Sequence, residues 1–106
     1  MFYADYCEGK EILSDQPCTR TKEEILHSMD CVLHMPNNFL GIVDKSGTTL
    51  QFMVNQDKTV AVDIPQVPRQ GSLTKTVELS QCLELVRELG ECVDPNSIEG
   101  LEFTSW

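Results

Sequence analysis

The sequence predicts an α+β domain: an antiparallel sheet of four or five strands with two amphipathic helices packed on one face. Three observations predict it. Residues Asn38 to Ile64 carry the alternating pattern of a three-strand meander, and two stretches, about 22–34 and 81–89, repeat apolar residues at helical spacing. The 106 residues suit one domain, 1–106, large enough to bury about two-thirds of its unfolded surface without a metal or disulfide staple.

Two turn signals divide the meander. Asp44-Lys45-Ser46-Gly47 sets Asp at the first place of a type I turn and Gly where the chain needs positive φ, and Asn55-Gln56-Asp57-Lys58 is the second turn. Leu50, Phe52 and Val54 alternate with Thr49, Gln51 and Met53; Val60, Val62 and Ile64 alternate with Thr59, Ala61 and Asp63. One face of this sheet is apolar and needs a cover. The other, with Thr49, Gln51, Met53, Thr59, Ala61 and neighbours Phe39 and Val43, is mixed, which suits either an interface or plain solvent exposure.

Ahead of the meander, Phe2 to Cys7 reads as a first strand with Phe2, Ala4 and Tyr6 on one side. Lys10 to Leu13 continues it after a turn at Glu8-Gly9, and Ser14 to Pro17 is loop. Thr21-Lys22-Glu23-Glu24 has the form of a capping box, so a helix starts there. Ile25, Leu26, Met29, Val32 and Leu33 fall on one arc of it, and Pro36 stops it near Leu33 or His34.

After the meander, Pro65 and Pro68 exclude a central strand through the 65–71 loop, and Leu73 to Val77 reads as a short edge strand. Ser80 is positioned to cap the second helix, where Cys82, Leu85, Val86 and Leu89 share a face, and Gly90 suits its left-handed end. Beyond Asp94-Pro95-Asn96-Ser97, the stretch Ile98 to Trp106 fits a last strand or an arm across the edge of the core.

The net charge of −9 is unevenly placed: residues 1–35 contribute −4, residues 36–76 contribute +1 and residues 77–106 contribute −6. Such a surface repels nucleic acid and anionic lipid, and the eight Lys and Arg are scattered singly, so no nucleic-acid and no membrane partner is expected. Solubility alone accounts for acidity; a basic protein partner is the sharper account. No run of 18 apolar residues is present, and the N-terminal residues lack the basic start and long apolar segment of a signal peptide. Five cysteines without a C-x-x-C pair then fit reduced thiols in the cytoplasm, with Cys7–Cys18 and Cys82–Cys92 as the pairs that could bridge.

Gly-rich phosphate loops, His-Glu-x-x-His and Gly-x-Ser-x-Gly do not occur in the sequence. The local constellation that does is His27, Cys31 and His34, at i, i+4 and i+7 on one helical stripe opposite Ile25, Met29 and Leu33. Neutral imidazoles and a thiolate suit zinc, although the spacing is not that of a structural zinc motif and a fourth ligand must come from elsewhere, including a second chain. Cys31 beside an imidazole is also a candidate nucleophile; an incidental polar face is the plainer account. An outward cysteine further hints that the N-terminal segment or another subunit covers it. Cys82, on an apolar helix face, reads as a small core residue. Asp63 is an ordinary solvated acid unless its face is covered, in which case its charge needs a partner.

The sequence thus points to an acidic, non-enzymatic binding domain acting as a homodimer on a protein partner, with an immunity-type inhibitor of a basic toxin as one form. The alternatives are a small metal- or thiol-dependent enzyme centred on His27, Cys31 and His34, and a small-ligand module with its pocket between sheet and helices.

Overall fold

The computed structural model describes residues 2–5, 10–12, 21–44, 47–89, 93, 95 and 98–105. Seven strands form one antiparallel sheet: β1 (Phe2–Asp5), β2 (Lys10–Ile12), β3 (Phe39–Val43), β4 (Thr49–Val54), β5 (Val60–Gln66), β6 (Gly71–Val77) and β7 (Glu102–Ser105), in spatial order β2-β1-β3-β4-β5-β6-β7. Two helices complete the α+β fold: α1 (Lys22–Val32) between β2 and β3, and α2 (Leu79–Glu88) between β6 and β7. The expected meander is β3-β4-β5. The expected strands at 2–7, in the meander and at 73–77 are β1, β3 to β5 and β6, and β2 and β7 bring the sheet to seven.

Both hairpins of the meander close in the same way. Gly47 N–H donates to Asp44 O at 3.1 Å and Lys58 N–H to Asn55 O at 3.0 Å, and each turn ends on a residue of positive φ, 88° at Gly47 and 69° at Lys58. A turn closed three residues on and ending in a left-handed residue has a twist that matches the strands. The second turn is braced by Asp57, whose carboxylate accepts from the Thr59 hydroxyl and backbone N–H. Those two bonds hold the Asp57 carboxyl below its ordinary value.

Register places the alternating apolar residues in rows on one face: Leu40, Phe52 and Val62; Ile42 and Leu50; Val54 and Val60; Ile64 and Leu73. Met29, Val32 and Leu33 near the end of α1 and Cys82 and Val86 of α2 are buried with them in one cluster. The apolar arcs read from the sequence therefore point inward as expected, and both helices lie on this face, α1 over β1 and β3, α2 over β5.

The helix ends show why the elements stop where they do. Thr21 and Glu24 form the capping box, each side chain accepting from the other's backbone N–H, at 3.1 and 3.2 Å. At the far end Leu33 leaves helical geometry, Asn37 turns through φ 74°, and the buried Asn38 amide donates to Val32 O at 2.9 Å. This side-chain cap ends α1 at Val32, so His34 lies beyond the helix rather than on it. The second helix starts earlier than Ser80. Its N-cap is Glu78, whose N–H donates to Gln81 Oε1 at 2.8 Å, because β6 runs to Val77 and leaves no loop before the first turn. Lys22, at the start of α1, donates to Arg87 O and Leu89 O at 3.2 and 2.7 Å, capping the end of α2.

Residues 73–77 are not an edge strand. β7 pairs along β6 from Thr74–Glu102 to Gly71–Ser105, which makes β6 interior. Between β5 and β6 a single 3₁₀ turn, Val67–Arg69, absorbs Pro68. The turn at Glu8-Gly9, the loop Ser14 to Pro17, Gly90, Cys7, Cys18, Cys92 and Trp106 lie outside the described residues. Among the described residues no helix is long and apolar enough to cross a membrane.

Candidate functional site

Because both helices occupy one face, the residues of the alternate pleat project to the other. Register sets two rows across it. One runs Gly41, Gln51, Asp63, Thr74, Glu102; the next runs Phe39, Met53, Ala61, Thr76. No described helix packs against this face. Met53, at its centre, is 50 % exposed, and Val43 on β3 is 38 % exposed. Exposed apolar side chains on a regular sheet face suit a contact surface as well as plain solvent exposure. Beside Met53, a shallow groove of about 480 Å³ is lined by Pro36, Asn37, Phe39 and Met53.

Asp63 sits within this apolar and neutral surround. It is half-buried, and its Oδ1 is closed off from solvent and accepts no hydrogen bond from a described residue. Its cross-strand neighbours are Gln51 and Thr74, and neither donates to it.

The helical side of the molecule is acidic. Glu23, Glu24 and Asp30 on α1, Glu78 at the start of α2, and Glu84 and Glu88 within it are exposed, against Lys22 and Arg87. Several described cations are turned to internal partners: Lys22 to the carbonyls of α2, Lys75 to Glu99 O at 2.8 Å, and Arg69 onto the Phe103 ring at 4.2 Å from its centroid.

The predicted stripe is divided into two pairs. His27 Nε2 lies 3.6 Å from Cys31 Sγ, and His34 Nε2 lies 3.6 Å from Asp30 Oδ1; His27, Cys31 and His34 are all exposed. Among the described residues no group of three or more His, Cys, Asp or Glu is arranged to hold a metal ion. A zinc ion at this stripe would need the two pairs to rearrange or ligands from another chain. Cys82 is a free, fully buried thiol, pushed up to about 12 by that burial, with Lys75 pulling weakly the other way.

No protein-family model, curated protein or solved structure matches this chain. Geometry and chemistry alone therefore carry the functional reading.

Among the described residues, Leu40, Phe52, Val62, Met29 and Val86 pack together between sheet and helices, where the sequence left room for a small-ligand pocket. The groove beside Met53 opens on the opposite side. Sequence reasoning found Met53 and Asp63 on the mixed face but tied the interest of Asp63 to a second layer covering it. Its Oδ1 is enclosed without any described layer over the face, on a strand, β5, that is interior to the sheet, which composition does not reveal.

Proposed function

We propose that this chain is a non-enzymatic protein-interaction domain that binds a basic protein through the helix-free face of its sheet. The observation that carries the reading is Met53, exposed at the centre of a regular sheet beside an unpaired Asp63. Apolar contact supplies the affinity, and the net charge of −9 speeds the approach of a cationic partner. An inhibitor that covers the basic site of an enzyme acting on nucleic acid is one form this partnership takes. Self-association brings together two chains that each carry a net charge of −9, so the homodimer is the weaker reading. The free thiols of Cys31 and Cys82 support a reducing compartment, and we assign the domain to the cytoplasm.

Capture from host lysate tests the proposal. Wild-type protein is expected to retain a basic protein at low salt and release it as salt rises, and Met53→Lys, which keeps the fold and places a cation at the centre of the face, is expected to retain none. Equal capture by the two proteins contradicts the reading.

A second reading is supported by one contact, that of Cys31 with His27. A thiol and an imidazole this close are the side chains that nucleophilic and metal chemistry draw on, so a small thiol- or metal-dependent activity is the alternative. Elemental analysis together with thiol reactivity of Cys31→Ser and His34→Ala decides it: bound metal lost in both variants supports this reading, and metal-free protein of unchanged reactivity removes it.

A further inference from the structure

We infer that His27 and Cys31 are half of a tetrahedral zinc site that a second copy of the chain completes. In contrast to both readings above, the ion ties two chains together instead of acting on a substrate, and His34 has no part in it. Zinc held about 2.3 Å from sulfur and about 2.0–2.1 Å from nitrogen, at the tetrahedral angle, spaces those two ligand atoms about 3.5–3.6 Å apart. His27 Nε2 and Cys31 Sγ are 3.6 Å apart. The two atoms already stand at the edge length of such a tetrahedron.

Local structure maintains that spacing. Four residues apart on α1, the two side chains lie one above the other, on a helix closed by the capping box at Thr21 and by the Asn38 side chain at Val32. His27 and Cys31 are both exposed, on a stripe away from the buried Met29, Val32 and Leu33, so a second chain can approach them. His34 lies past the end of α1 and faces Asp30 Oδ1, a harder donor than a thiolate.

Zinc takes four ligands, and two imidazoles with two thiolates are one of its closed structural sets. One chain supplies half of that set, so by itself it shows no group of three ligands among its described residues. A two-fold axis through the ion has each chain give the same pair. Two thiol protons leave as one Zn²⁺ enters, so the repulsion between chains of net charge −9 is not relieved. The exposed acids Glu23, Glu24 and Asp30 on the same helix add to it. The dimer therefore needs the ion, and moderate salt strengthens it, opposite to the capture of a cationic protein.

The probe is zinc alone, added to the reduced protein and followed by sedimentation. Wild type is expected to double in mass at one zinc per two chains and to return to monomer when a chelator is added. Cys31→Ser and His27→Ala are expected to stay monomeric at the same zinc concentration, and His34→Ala and Met53→Lys to dimerise as wild type does. All four side chains are exposed, so each variant is expected to keep the fold. A dimer that survives Cys31→Ser, His27→Ala or the chelator overturns the inference. Zinc held by a chain that stays monomeric overturns the bridge, and leaves the second reading standing where Cys31→Ser and His34→Ala both lose the metal. Protein that binds no zinc overturns both.

Discussion

The carboxylate of Asp44 joins two parts of the chain that are 49 residues apart: Oδ1 accepts from Thr48 N–H at 2.9 Å within the β3–β4 turn, and Oδ2 accepts from Val93 N–H at 2.6 Å. The turn thus holds the segment that follows α2. Asp44→Asn keeps one acceptor for Thr48 and replaces the other with a donor that cannot face Val93 N–H. It is expected to destabilise the protein by about 1.5–3 kcal/mol, the range of a bond to a charged acceptor, read from the urea midpoint. Asp44→Ala, which breaks both bonds, is expected to cost more.

The two meander turns offer a paired test of backbone strain. Gly47 and Lys58 occupy equivalent places at φ 88° and 69°, and a Cβ built on Gly47 meets nothing within 4 Å. Gly47→Ala therefore has no steric clash to relieve and is expected to cost about 1 kcal/mol through its backbone alone, while Lys58→Gly is expected to gain about 0.5–1 kcal/mol. Urea unfolding of both variants checks the opposite signs.

The sheet's far edge depends on a close approach. A Cβ at Gly71 would strike the Phe103 ring and lie 2.6 Å from Thr104 O, which belongs to the backbone of β7 and cannot swing aside. Gly71→Ala is expected to detach β7, seen as loss of hydrogen-exchange protection at 102–105 with the β3–β5 amides unchanged.

These contacts also show what the sequence could and could not convey. The meander was legible because Leu50 to Ile64 alternates without a break and its turn residues have a local mechanism, and α1 was legible because Thr21 and Glu24 cap it within four residues. β7 was legible only as one of two options for the tail, since Glu102, Phe103, Thr104 and Ser105 are all exposed and leave no alternation to read. Gly71 was the available sign of a close approach, and it resembled a loop glycine after Pro68. For the candidate site, Met53 and Asp63 were placed on the correct face by alternation, whereas the missing donor at Asp63 is a property of register. The His27, Cys31 and His34 stripe came from extending α1 to residue 34; the Asn38 side chain ends it at Val32.

Burial of Cys82 yields a pH dependence of definite sign. Its folded value of about 12 exceeds the ordinary 9.0, so the unfolded chain loses this proton first as pH rises. The stability this thiol contributes is complete below 9.0 and falls away between 9.0 and about 12. The stability of wild type is expected to decline more steeply over that window than that of Cys82→Ala, measured as the difference between their urea midpoints. In native protein at pH 8, peptide mapping after iodoacetamide is expected to find Cys31 alkylated and Cys82 untouched.

The central claim, that the helix-free sheet face is where this domain meets its partner, is tested most directly by hydroxyl-radical footprinting of Met53 in the free protein and in the captured complex. Half-exposed in the free chain, Met53 is expected to oxidise readily and to be protected several-fold on binding, while the fully buried Met29 stays unreactive in both. Unchanged oxidation of Met53, with protection appearing on the side chains of α1 and α2 instead, would contradict the account.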